Sequence, residues 1–193
     1  VTVGCQEAMF LVIRTLCAGP RDVMLAASPY YVGFAGAAGL LDVPVLPVRT
    51  DTDGIDLSDL RRQVRSARSR GLRPRGCYVV PDFSNPTGTC LGLDARGELI
   101  ALAEEMDLLL IEDNPYGLFS SQARLPTLKS LDRTRHVVYL GSFAKTAMPS
   151  ARVGYVVADQ PVRRAGRPGG LLADKLSVVK SMITVNTSAI AQA

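Results

Sequence analysis

Residues 23–41 read VMLAASPYYVGFAGAAGLL, a run with no charge between Asp22 and Asp42. How that run divides decides the fold. As one continuous helix it would approach the roughly 20 apolar residues that a bilayer span requires. Ser28, Pro29, Tyr30 and Tyr31 interrupt it, because proline and small polar residues punctuate turns. What remains is a short apolar strand over 23–27 and a helix of small residues behind it. Strand, turn and helix form the unit of an α/β sheet, so no membrane span is expected here.

The same grammar recurs along the chain. Strand-like runs stand at Val23–Ala27, Val43–Val48, Gly76–Pro81, Leu108–Glu112, Val137–Gly141 and Val153–Ala158, mostly short and apolar on both faces. Buried parallel strands carry that pattern, since helices cover both sides of their sheet. Helical periodicity separates them at Gln6–Leu16, Leu57–Arg70 and Arg96–Glu105; the second has Ser58 and Asp59 near its start and Gly71 at its stop. The alternation predicts an α/β fold with a doubly wound, mostly parallel sheet. The Gly/Arg/Pro-rich segment Arg163–Gly170 reads as a mobile loop.

Composition narrows the function classes. With 193 residues, 47% hydrophobic and 21% charged, the chain can bury a core; disorder, collagen and a disulfide miniprotein are excluded. The length suits one domain, or one with a fragment of a second. A net charge of +4 is too small and dispersed to indicate nucleic-acid binding. The basic cluster Arg61, Arg62, Arg65, Arg68, Arg70, Arg73 and Arg75 lacks aromatic residues for bases to stack on and reads as a solvated helix face. Cys5, Cys17, Cys77 and Cys90 form no CxxC pair and His136 is the only histidine, so neither a metal site nor a secreted disulfide framework is expected; a reducing cytoplasm is the default. The opening Val1-Thr2-Val3 has no initiator Met and no leader pattern, which reads as an excerpt of a longer protein.

In doubly wound sheets ligands bind beyond the carboxyl ends of the strands, so the residues following each strand carry the chemistry. Here they read SPYY at 28–31, DFSNPTG at 82–88, DNPYG at 113–117 and SFAK at 142–145. SNPTG at 84–88, EDNPYG at 112–117 and GSFAK at 141–145 with Pro149, Arg152 and Gly154 are each weak motifs. In this order and about thirty residues apart, they resemble the fold-type I pyridoxal-phosphate enzymes, specifically the class I/II aminotransferases of the kynurenine/2-aminoadipate kind. The resemblance spans residues 1–193 and implies an incomplete large cofactor-binding domain, without the N-terminal arm and C-terminal small domain of family members.

That resemblance assigns roles residue by residue. Lys145 matches the lysine that joins pyridoxal 5'-phosphate as a Schiff base. A free lysine amine is almost fully protonated at pH 7, so such a site must favour its neutral or bonded form. Asp113 matches the carboxylate that keeps the pyridine nitrogen protonated; strand alternation turns Glu112 to the opposite face. Asn85 and Tyr116 match the two donors to the phenolic oxygen, and the Asn85-Pro86 bond is often cis in this family. Cys5 and Gln6 at a helix start, Ser142 and Arg152 match the phosphate site, where helix N–H groups and a planar guanidinium suit an oxyanion. Cys5 stands where relatives commonly carry Ser or Ala, so the backbone contact survives and a hydroxyl is lost. Tyr31 matches the ring-stacking aromatic, with Tyr30 directed elsewhere. Ala144 and Ser150-Ala151 depart from the more frequent Ser and Gly-Leu.

The implied activity is transamination between an amino acid and a 2-oxo acid by a cytoplasmic enzyme, homodimeric at full length, with no nucleic-acid or membrane partner. Lys145, Asp113 and Tyr116 would be the catalytic set. Lyases, cyclising synthases and decarboxylases share this scaffold and these residues. An aminotransferase-like sensor domain of a transcription regulator is a reading from a different class. The texture of PDFSNPTG, EDNPYGLF and KSMITVNTS resembles aminotransferases that build aryl-glycines.

Overall fold

The computed structural model describes residues 1–119, 124–164 and 167–192. Its first half runs β1 (Thr2–Val3), α1 (Gly4–Leu16), β2 (Asp22–Ser28), α2 (Val32–Gly39), β3 (Val45–Asp51), β4 (Gly54–Ile55), α3 (Leu57–Ser69) and β5 (Arg73–Val79). The second continues with α4 (Leu93–Glu105), β6 (Leu109–Asp113), α5 (Leu128–Leu131), β7 (Val137–Ser142), β8 (Val153–Val157), β9 (Pro161–Arg164), β10 (Arg167–Leu171), α6 (Leu172–Ser181) and α7 (Ala189–Gln192). The uncharged run over 23–41 thus divides into β2 and α2 at Ser28-Pro29, and none of the described helices is long and apolar enough to cross a membrane.

Eight strands form one sheet in the order β1-β8-β7-β6-β5-β2-β3-β4. Five neighbours, β7, β6, β5, β2 and β3, are parallel. Their double-sided apolarity has a direct cause, since each strand feeds two cores. Met24 and Ala26 of β2, Tyr78 of β5 and Ile111 of β6 pack with α1, α2 and α6; the intervening Leu25, Cys77, Val79 and Leu110 pack with α3, α4 and α5. A one-residue slip in any strand would exchange the two sets.

Several elements differ from the sequence expectation. β8 runs antiparallel to β7 and to β1, a direction that apolarity on both faces cannot reveal. Residues 163–170 are not a loop throughout: β9 and β10 pair as an antiparallel hairpin, with residues 165 and 166 outside the described set. Arg73 and Arg75 belong to β5 rather than to a helix face; Arg73 pairs with Asp22 at 3.1 Å and Arg75 Nε donates to the Leu16 carbonyl. On α3, Arg61 pairs with Glu105 and Arg62 with Asp59, so this face is partly neutralised. The cap of α3 is Asp56, whose Oδ1 accepts from Asp59 N at 2.9 Å, just ahead of Ser58 and Asp59 in the same turn. α4 begins at Leu93, three residues before Arg96, and α6 is an additional helix.

Candidate active site

The chain passes from β2 to β3 on one side and later to β5 on the other, so β2 and β5 flank the point where strand order reverses. Crevices form at such points beyond the strand ends. β2, β5, β6 and β7 all end at this edge. The antiparallel β8 begins here, which places Arg152 just before it. β1, antiparallel to β8, ends here and delivers the N-terminus of α1. One pocket of about 190 Å³ results, and Cys5, Gln6, Tyr31, Asn85, Asp113, Tyr116, Ser142, Lys145 and Arg152 all line it. Met9, Tyr78, Val80, Pro115 and Ala144 complete the wall.

One corner is built for an anion. α1 has 13 residues and no side-chain cap, so the N–H groups of its first turn face the pocket without a side-chain acceptor. Gly4 and Gly154 permit the close approach. A Cβ on Gly4, which has φ +71°, would stand 2.7 Å from the Arg152 guanidinium, and one on Gly154 would stand 2.7 Å from the Gly4 carbonyl carbon. Arg152 itself takes the left-handed conformation at φ 52°, ψ 40°, costing on the order of 1 kcal/mol for a residue with a Cβ. Gln6 braces this end, its Nε2 donating to the Gly33 carbonyl at 2.7 Å and tying α1 to α2. Ser142 Oγ accepts from Ala144 N at 3.2 Å, which orients the hydroxyl at the start of the turn carrying Lys145.

The same pocket holds Asp113, 4% exposed. Cys5 Sγ donates to its Oδ1 at 3.1 Å and the Tyr78 hydroxyl to its Oδ2 at 2.6 Å. Burial pushes the Asp113 carboxyl above its ordinary range, opposed by these two hydrogen bonds. Burial, with the Asp113 charge, likewise raises Cys5 and Tyr78, which keeps both protons on the donors. The Cys5 side chain therefore does more than lose a hydroxyl: its thiol is engaged with the carboxylate. Glu112 points to the other face, as alternation requires, and accepts from Leu128 N at 2.9 Å and Lys129 N at 2.8 Å.

Sequence reasoning missed Tyr78, which looks like an ordinary aromatic inside a buried strand. It also missed the network behind the two loops that carry Asn85 and Tyr116. Arg96, fully buried on α4, pairs with Asp82 and donates to the carbonyls of Leu91 and Pro126 at 3.0 Å each. Asn114 Nδ2 donates to Asp82 Oδ2 at 2.9 Å, and Asn114 Oδ1 accepts from Gly117 N at 2.8 Å. One buried guanidinium thereby holds both loops. The available signal was Arg96 sitting three, four and seven residues before Leu99, Ile100 and Ala103, on the apolar stripe of its helix. Tyr30 turns away from the pocket to pack edge-on against Phe34, at a centroid distance of 6.1 Å, leaving Tyr31 as the aromatic wall. The Asn85-Pro86 bond is cis, as is Ser28-Pro29.

An amine on a post-strand turn, a buried carboxylate and an arginine laid across an uncapped helix start thus meet at one pocket. The chain belongs to the family of class I and II aminotransferases, whose model matches residues 1–192. It is 62% identical over all 193 residues to the (S)-3,5-dihydroxyphenylglycine transaminase of Amycolatopsis orientalis, covering 43% of that protein. A kynurenine aminotransferase from Pyrococcus horikoshii superposes with a TM-score of 0.87 at 29% identity, over 99% of this chain and 45% of its own. The α-aminoadipate aminotransferase LysN of Thermus thermophilus gives 0.82 at 32% identity, over 99% and 46%. The chain thus spans less than half the length of these relatives. Pyridoxal phosphate is the family's cofactor, and the glycine cradle beside Arg152 and the donor set around the pocket fit it.

Proposed function

We propose that this chain is the cofactor-binding part of a pyridoxal-phosphate-dependent transaminase that moves an amino group between an amino acid and a 2-oxo acid. The observation that carries this reading is the convergence of Lys145, Asp113 and Arg152 on one pocket. When bound, pyridoxal phosphate supplies a reactive aldehyde and a pyridine ring that takes up the electron pair of a substrate's Cα–H bond. The N-terminal amides of α1, Ser142 and Arg152 hold the phosphate. Asp113 keeps a proton on the pyridine nitrogen. Asn85 and Tyr116 donate to the phenolic oxygen, and Tyr31 covers one ring face and excludes water from it. Lys145 would tether the group through Nζ, and the same amine, when free, would serve as general base and acid for the proton at the substrate Cα.

The substrate reading follows the 62% identity to a protein named for (S)-3,5-dihydroxyphenylglycine. We infer an aryl-substituted 2-oxo acid as acceptor, an amino acid as donor, a homodimer at full length and a cytoplasmic setting. The test is a donor and acceptor screen on the full-length protein, with product analysis of the reaction with donor alone for an oxo acid and pyridoxamine phosphate in equal amounts. Borohydride treatment should fix the cofactor to the peptide containing Lys145. Lys145→Ala should abolish that label and reduce turnover by at least about 10²–10⁴-fold, the span general acid–base groups contribute. A labelled, active Lys145→Ala protein refutes the assignment, and elimination products without an oxo acid would replace transaminase by lyase.

A further inference from the structure

Asp113 is held from two sides by side chains that the mechanism above does not use. From α1 the Cys5 thiol reaches Oδ1 at 3.1 Å; from β5 the Tyr78 hydroxyl reaches Oδ2 at 2.6 Å. Neither donor is free to wander. The Tyr78 ring is 1% exposed and lies flat against Phe34 of α2, with centroids 4.1 Å apart and planes at 15°. Phe34 is in turn braced edge-on by Tyr30. Cys5 is fixed by its place in the first turn of α1, between Gly4, against which β8 packs, and Gln6, bound to α2. Two elements far apart in sequence, α1 and β5, therefore converge on one carboxylate, and α2 braces the Tyr78 ring from behind.

We propose that Tyr78 and Cys5 are positioning residues for Asp113: their two protons, one on each oxygen, fix the plane of the carboxylate and hold it as a charged acceptor facing the pocket. An ionised carboxylate has about four lone-pair positions, so both oxygens keep capacity for a further donor. Burial alone would favour the protonated acid, which cannot hold a proton on a neighbouring ring nitrogen. Two neutral donors stabilise the anion without placing a cation beside it, as a paired lysine or arginine would. The carboxylate keeps its charge for the ligand.

The other titratable groups are arranged consistently with this division. Tyr31, Tyr116, Lys145 and Arg152 line the same pocket. Glu112 and its neighbour in register on β7, Tyr139, lie on the opposite face of the sheet. The functional consequence rests on the cofactor reading above; the geometry does not.

The test uses the full-length protein without cofactor and reads two infrared bands. One is the S–H stretch of Cys5, assigned by its loss in Cys5→Ala; the other is the protonated-carboxyl stretch of Asp113, assigned by its loss in Asp113→Asn. Tyr78→Phe removes one hydroxyl and keeps the stack on Phe34. It should raise the pH at which the Asp113 carboxyl band vanishes by about one unit, as expected for losing a hydrogen bond to the charged form. Cys5→Ala should raise it by less, and Cys5→Ser should restore the wild-type titration. Asp113→Asn should move the Cys5 S–H band toward the frequency of an unbonded thiol. An unchanged Asp113 titration in both Tyr78→Phe and Cys5→Ala overturns the proposal, as does an S–H band indifferent to Asp113→Asn. If Tyr78→Phe does not fold, the Cys5→Ala and Cys5→Ser pair decides. Because both bands are read before cofactor is added, a protein that fails to bind pyridoxal phosphate refutes the functional reading and leaves this test intact.

Discussion

Arg152 shows how much a single position can be asked to do. Its backbone sits in a left-handed conformation, and its guanidinium lies so close to Gly4 that any side chain there would displace it. Such strain persists where surrounding contacts over-determine it. Only a flat, forked cation can lie along the first turn and present two parallel N–H groups to an oxyanion, so Arg152→Lys preserves charge and loses geometry. Cofactor retention in the full-length protein, measured by equilibrium dialysis, should weaken by about tenfold to a hundredfold, the worth of one hydrogen bond to a charged group. Retention equal to wild type would remove Arg152 from the phosphate site. Asp113→Ala acts on another wall residue of the same pocket. It should lower retention and slow exchange of a donor's Cα proton, followed by loss of deuterium from labelled amino acid. The nine pocket residues were legible because the motifs around them resemble a known family, and that resemblance assigns a role to each; the structure brings all nine to one pocket. Tyr78 was not, because its meaning depends on Asp113, thirty-five residues away and on a different strand.

Loops that carry site residues need anchoring, and the elements of this fold supply it through a buried ion pair. Arg96 is fully enclosed, and Asp82 is its carboxylate partner. Asp82→Ala would leave a guanidinium in the core with carbonyl partners alone. Breaking a buried pair from one side costs roughly 3–5 kcal/mol. Arg61→Ala, which removes an exposed pair with Glu105, should cost less than about 1 kcal/mol. Denaturant unfolding of the two variants under identical conditions tests the contrast, and equal costs would show that Arg96 does not depend on Asp82. At this scale the sequence pattern conveys the strands β2, β3, β5, β6, β7 and β8 and the helices α1, α2, α3 and α4, since pattern and punctuation are local information. It misses the direction of β8, because an apolar strand looks the same either way. It misses β9 and β10, because PVRRAGRPGG carries turn formers in place of alternating apolar residues, and the pairing of β9 with β10 supplies the order that composition lacks. Nor does it single out Asp56 as the cap over Ser58 and Asp59, all within one turn and all competent acceptors.

The two faces of the sheet divide the molecule's labour, and adjacent carboxylates in β6 mark the division. Asp113 opens on the pocket under α1 and α2. Glu112, fully buried on the α3–α5 side, receives the backbone N–H groups of Leu128 and Lys129 and so fastens the entry to β7. Burial raises its pKa to about 7, opposed by those two hydrogen bonds and by the charge of Arg96. In the unfolded chain the same group ionises near the ordinary glutamate value, so as pH rises the unfolded state loses its proton first. The stability contributed by the protonated form is therefore complete below about pH 4.3, and is lost as pH climbs through about 7. Glu112→Gln keeps the shape and one carbonyl acceptor but cannot titrate. Comparing wild type with this variant cancels the background of the other carboxylates. The stability difference between them should swing by about 3 kcal/mol between pH 4.5 and pH 8, with the glutamine variant gaining at the alkaline end. Denaturant unfolding of the full-length protein at the two pH values measures that swing. A difference independent of pH would mean that Glu112 stays ionised throughout, with the amides of Leu128 and Lys129 outweighing its burial.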